Sequence, residues 1–302
     1  MRLRAPYSAG VQPAEGRSPA FDLTGPDWAR LTDVKGKDTV LARDLHAQEG
    51  WAALAGALGD EEEAYAFSAR TALMWLRPDA FAAGTARRVV AATAEAGFTP
   101  LAVRPIRLER CAVRALWSYM CRWATAERLI LMDALVALGP GLLVLWADDT
   151  GGPVSVRMMA VKGRNDPARR EPGSLRDIAG SPSRALTMLH TTDDPADVVR
   201  ELAVLCSWPE RAGLIAEAAA RLREGHSADL DQALGGVERE LPPLGLPVLE
   251  AGAPAPAVHE LFTGPVDKRW AALVAASEGW PLLRRTPGPA AWPEQETRSP
   301  WQ

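Results

Sequence analysis

One histidine in this chain stands where an imidazole ring could do chemistry. His190 lies between a short apolar run over 185–189 and a strong helix start. Thr192, Asp193 and Asp194 supply capping oxygens, Pro195 suits the first helical position, and Val198, Val199, Leu202 and Leu205 recur at helical spacing. The ring is therefore expected where a strand ends and a helix begins, with accessible nitrogens beside free backbone N–H groups that attract anions. A neutral imidazole is a competent nucleophile near pH 7, and a phosphorylated ring divides a two-substrate transfer into two half-reactions. Upstream, a loop shaped by Pro167, Pro172 and Gly173 carries Arg164, Arg169, Arg170 and Arg176, whose paired donors match phosphate oxygens. The plainer alternative is a solvated basic loop followed by a structural histidine. His46, His226 and His259 lack such neighbours and are assigned to surface or packing roles.

The elements that must position His190 are legible upstream of it. Strand patterns fall at 69–76, 99–106 and 141–146, the first closed by Arg77-Pro78-Asp79. Helical spacing falls at 84–96, ended by Gly97, then at 108–120 and 124–138, and in a short stretch at 154–161. With the His190 strand and the helix after it, the order is β-α-β-α-α-β-α-loop-β-α. Without the extra helices this is βαββαβ, a ferredoxin-like α+β arrangement with an antiparallel sheet covered by helices on one face.

Three segments follow from this: an N-terminal extension over 1–68, a central domain over 69–208, and a helical and Pro/Gly-rich extension over 209–302. Residues 1–25 read as a flexible arm, 27–58 as one or two short helices, and Asp60-Glu61-Glu62-Glu63 as a solvated charge cluster rather than a metal site. Helices are expected at 209–224 and 266–277, and the tail after Thr286 is expected to be peripheral. Trp270, Trp280, Trp292 and Trp301 are expected to act as hydrophobic anchors.

Composition narrows the function classes. The chain has 302 residues, 47% of them hydrophobic, and a net charge of −4, so its surface as a whole is not built to bind nucleic acid. The three cysteines, Cys111, Cys121 and Cys206, show neither disulfide nor metal-ligand spacing, and the first two are expected to be buried or half-buried thiols. No signal peptide or membrane span is legible, and the expectation is a soluble cytoplasmic protein.

The stretch from Asn165 to Glu201 resembles the core of the nucleoside diphosphate kinase family. That family places a loop of the form N-P-x4-P-G-[ST]-[IL]-R before an N-x-x-H-x-S-D segment holding the phosphate-accepting histidine. Here Asn165-Asp166-Pro167 leads to Pro172-Gly173-Ser174-Leu175-Arg176, and Thr187-Met188-Leu189-His190-Thr191-Thr192-Asp193 follows. The resemblance implies the same fold over about 69–206. It also implies transfer of a γ-phosphoryl group from a nucleoside triphosphate through a phosphohistidine at His190, with Mg²⁺ carried by the nucleotide phosphates and a homo-oligomeric assembly. His190, Arg77 and Glu201 would form the catalytic set. Tyr119, Arg176, Asn165, Arg157 and Thr187 would contact substrate or phosphate, with Thr192 and Asp193 behind them.

The departures from the family pattern are specific. Arg77 replaces a lysine, Thr187 an asparagine and Asn165 a threonine. A second family arginine falls at Met159, with Arg157 nearby, and the aromatic residue that stacks on the base falls near Arg128 or Leu129. The alternative reading is therefore a nucleotide-binding or scaffold protein that keeps the fold without turnover. A nucleic-acid-binding module on the same sheet is the weakest candidate, because the strands lack exposed aromatic pairs.

Overall fold

A computed structural model describes residues 25–121, 124–250 and 254–281. The expected arm over 1–25, apart from Gly25, lies outside these residues, as do the tail after Thr286, Trp292 and Trp301. Four strands form one antiparallel sheet: β1 (Ala72–Leu76), β2 (Thr99–Ile106), β3 (Gly141–Ala147) and β4 (Leu189–Thr191). Their order is β2-β3-β1-β4, the ferredoxin-like arrangement, with helices packed on the sheet in an α+β fold.

Helices cover both faces of the sheet, not one. Met74, Leu76, Val144 and Trp146 pack beneath Ala86–Glu95, Ala126–Leu138, Val154–Lys162 and Val266–Gly279. Leu73, Trp75, Leu143 and Leu145 face Leu45–Leu58, Arg110–Leu116, Pro195–Leu205 and Trp208–Glu224. The reason is written in β1 (ALMWL) and β3 (GLLVLWA), which are buried at every position. A strand without a polar alternate has no face to leave in water. The edge strand β2 is protected differently. Pro100 and Pro105 interrupt its hydrogen-bonding capacity, and Ala228 N–H and an Arg221 Nη1–H donate to its carbonyls at Pro100 and Leu101, each at 2.7 Å.

One sequence boundary shifts for a local reason. β1 begins at Ala72 because Ala69 closes the helix Glu61–Ala69, whose first turn is the acidic run. Asp60 accepts from Glu62 N at 2.9 Å, and three carboxylates sit at the positive end of the helix dipole. Cys111 is exposed, against expectation, because it stands in the first turn of Arg110–Leu116 on the side away from the sheet; Cys121 is half-buried and Cys206 buried. Trp270 is buried, as an anchor should be, and its Nε1–H donates to Gly245 O at 2.7 Å. No helix among the described residues is long and apolar enough to cross a membrane.

The N-terminal helix Leu45–Leu58 lies across Pro195–Leu205, the helix that carries Glu201. Its close approach depends on Gly50, where an added Cβ would stand 2.1 Å from Val199 O. Gly50→Ala is expected to destabilise the fold by about 1–3 kcal/mol, as overpacking against fixed backbone does. Urea unfolding measures this, and a Gly50→Ala protein as stable as its parent would show that the two helices do not meet there.

Candidate active site

β1 ends one residue before Arg77 and β4 begins two residues after Thr187, so the chain delivers both segments to the same end of the sheet. Within the sheet His190 pairs with Trp75 of the central strand, which puts its ring on the face covered by Pro195–Leu205. It is in the middle of β4 and only 5% exposed, not at an open junction. The expected free N–H groups of the next helix are also engaged, since Asp194 caps it by accepting from Asp197 N at 3.0 Å.

The His190 ring is held from one side. Its Nε2 lies 2.9 Å from both carboxylate oxygens of Glu201, which is also buried. A carboxylate only accepts, so Nε2 carries the hydrogen and, in the neutral ring, Nδ1 keeps the lone pair. Nδ1 makes no hydrogen bond among the described residues. Trp117 packs edge-on against the ring, centroids 5.7 Å apart at 83°. A spacing of eleven residues thus places the acid in the second turn of Pro195–Leu205, across a strand end from the imidazole.

The ring forms one wall of a cleft of about 50 Å³, together with Arg77, Arg128, Arg176, Arg184, Asn165 and Thr187. Trp117, Met120, Leu131 and Leu135 supply the apolar side. Of the four loop arginines only Arg176 enters. Arg164 pairs with Glu171 at the surface, and Arg170 ties the loop to Ser181 O at 2.9 Å. Arg176 is buried, donates to Gly163 O at 2.9 Å, and leaves its Nε without a partner. Burial, reinforced by the neighbouring Arg77 charge, pulls its pKa down to about 10. Burial likewise lowers the pKa of Arg128, with Arg77 and Arg184 adding repulsion. The cleft is therefore an environment that an anion would relieve.

Arg77 lines the cleft but is largely committed to structure. Four of its five N–H groups are taken, by Asp79 Oδ1 and Oδ2 at 3.2 and 2.9 Å, Thr187 Oγ1 at 2.8 Å and Ala185 O at 2.8 Å. Asp79 also accepts from Met188 N at 3.1 Å, and Arg77 N donates to Met188 O at 3.0 Å. This clamp holds Met188 at φ 63°, a left-handed conformation that costs a side-chain-bearing residue about 1–2 kcal/mol. Arg77, Asp79 and Thr187 together fix the backbone that enters β4, and so the placement of His190.

Several expected site residues lie elsewhere. Tyr119 turns away from the cleft and donates to Asp44 Oδ2 at 2.7 Å, because Asp44 and Arg200 offer a charged anchor from distant segments. Arg157 pairs with Asp148 and Ala96 O and covers the Phe98 ring. Thr192 completes the β1–β4 pairing by accepting from Leu73 N at 3.1 Å, away from the ring. Asp193 accepts from the buried Lys162 at 2.9 Å, an ion pair beneath β4. Arg128, Arg184, Trp117 and Lys162 were not among the expected site residues. Only Arg128 carried a sequence signal, since the base-stacking aromatic of the family pattern falls near Arg128 or Leu129; Trp117 supplies aromatic surface in the cleft.

No family model matches this chain, and no curated protein sequence matches it. Solved structures similar to it include the nucleoside diphosphate kinase of Aquifex aeolicus, at 18% identity and a TM-score of 0.39 over 47% of this chain and 97% of that one. A nucleoside diphosphate kinase family protein from Babesia bovis is similar at 16% identity and TM-score 0.38, over 47% and 90% of the two chains. An NDP kinase from Pyrobaculum aerophilum is similar at 17% identity and TM-score 0.36, over 47% and 97%.

Among the described residues no cluster of three or more His, Cys, Asp or Glu side chains is arranged to hold a metal ion. There is no carboxylate among the described residues that line the cleft.

Proposed function

We propose that this protein is a phosphotransferase of the nucleoside diphosphate kinase type, in which His190 accepts the terminal phosphoryl group of a nucleoside triphosphate. The observation that carries this reading is the His190 ring, held through Nε2 by Glu201 with its other nitrogen unbonded, in a cleft with the unpaired guanidinium groups of Arg128 and Arg176. The Nδ1 lone pair forms a bond to the terminal phosphorus, and the bridging P–O bond breaks with its electron pair leaving on the diphosphate. Glu201 then faces a positively charged ring and stabilises it through the Nε2–H. In the second half-reaction an acceptor oxygen attacks phosphorus, the N–P bond breaks, and its electrons return to Nδ1. Arg128 and Arg176 offset charge on the phosphate oxygens, and magnesium held by the phosphates supplies further neutralisation when bound.

The wild-type protein incubated with ATP and magnesium is expected to gain one phosphoryl group that survives alkali and is lost in acid. Phosphorus–proton correlation spectra are expected to place it on Nδ1; a phosphoester, or phosphate on Nε2, would overturn the assignment. Glu201→Gln retains an acceptor but removes the charge that fixes the tautomer. Its phosphorylation is expected to slow by roughly 10²-fold or more, read from the rate of mass gain. An unchanged rate would remove Glu201 from the mechanism.

A second reading, a phosphate-binding protein without turnover, is favoured by the near-complete engagement of Arg77 within the fold. It gives ligand-dependent stabilisation with no mass gain.

A further inference from the structure

The charges around the cleft do not balance. Arg77 is paired with Asp79 and Arg184 with Asp166, whereas Arg128 and Arg176 form no ion pair among the described residues. Arg176 is buried and its Nε has no acceptor among the described residues, while Arg128 is half-buried with an Nη2–H donating to the weak acceptor Met120 Sδ at 3.4 Å. A buried cation without a counter-ion is a standing penalty unless a ligand removes it. The two charges call for a multiply charged anion rather than a single carboxylate.

The room available is as restrictive as the charge. About 50 Å³ holds a few water molecules or a terminal phosphoryl group, far below the roughly 300–1,000 Å³ of sites that enclose small organic ligands. The walls are also tied to each other. Thr125, three residues before Arg128, donates through Oγ1 to Pro281 O at 2.6 Å. Ser183, next to Arg184 on the opposite wall, donates through Oγ to Ser277 Oγ at 3.0 Å. One segment, the Val266–Gly279 helix with Pro281 beyond it, thus spans both sides of the cleft. Only a terminal phosphoryl group enters between walls that this helix holds together, so the rest of a phosphate chain, and any nucleoside attached to it, stays outside them.

We infer that this site takes a short inorganic oligophosphate, recognised through its phosphate oxygens alone, and that a nucleoside attached to the chain adds nothing to binding. The inference rests on the phosphohistidine reading and narrows its donor. With tripolyphosphate, Nδ1 of His190 bonds to a terminal phosphorus, the bridging P–O bond breaks, and pyrophosphate leaves with the electron pair. The Nε2 proton remains with the ring throughout.

Calorimetric titration of the full chain with tripolyphosphate, ATP and adenosine tests this. Tripolyphosphate and ATP are expected to bind within about threefold of each other, adenosine to give no heat, and Arg128→Met to weaken both anions by about tenfold or more. An ATP advantage of about tenfold or more over tripolyphosphate, or no binding of tripolyphosphate, overturns the inference. Intact-mass measurement of the same samples separates this result from the transfer reading. Equal binding without phosphoryl gain upholds phosphate-only recognition and sinks transfer. Phosphoryl gain from ATP with a strong ATP preference upholds transfer and sinks phosphate-only recognition.

Discussion

A His190→Gln protein is expected to yield no phosphoprotein with any donor, a loss of roughly 10⁴-fold or more relative to wild type. Among the described residues that line it, the cleft offers no substitute nucleophile. The Thr187 hydroxyl accepts from Arg77 and points at Leu189 O, and the remaining polar groups are guanidinium groups and the amide of Asn165. Glutamine is the informative replacement because its amide N–H takes over the bond to Glu201. Alanine would leave that carboxylate buried and unpaired, costing about 1–3 kcal/mol and mixing a folding defect with a chemical one. Intact mass over time, together with thermal unfolding, separates the two effects. A phosphoryl group that still appears on a folded His190→Gln protein would move the chemistry to another residue.

Arg176→Met should change stability and binding in opposite directions. Burial lowers the pKa of the guanidinium from its ordinary value to about 10, so the folded state disfavours its charge. A cation whose folded pKa is depressed destabilises the fold fully below that pKa, and the penalty disappears as pH rises through about 10 towards the unfolded value. At neutral pH the shift corresponds to about 3 kcal/mol, from which about 1 kcal/mol is subtracted for the lost bond to Gly163 O. Methionine fills similar space without charge, and a net gain of about 1–2 kcal/mol, or a few degrees in Tm, is expected without ligand. Oligophosphate affinity is expected to fall by about tenfold to a hundredfold, because a charge-assisted contact is lost. Thermal melts with and without tripolyphosphate give both numbers. A destabilised Arg176→Met protein that binds normally would make Arg176 a structural residue.

The pairing of His190 with Glu201 was expected from the resemblance to a family motif, and the eleven residues between them span one strand end and one helix start. Arg176 follows a Pro-Gly turn that fixes the loop locally, and it too lies in the cleft. Residues whose partners come from far along the chain were not readable. Tyr119 is drawn to Asp44, 75 positions away, and Arg77 is claimed by Thr187, 110 positions away. Motif spacing locates their backbones but not the acceptors that turn their side chains.

The amino-acid sequence by itself determined the four described strands and the helices between them, because periodicity and turn chemistry act over a few residues; the expectation of Glu201 and Arg176 near His190 came from a motif resemblance. Only the tertiary structure decided that both sheet faces are covered, that Arg128 joins Arg176 without a counter-ion, and that one C-terminal helix spans the cleft. Those features depend on segments up to 156 residues apart meeting at one place, as Thr125 meets Pro281, and no local pattern encodes such a meeting.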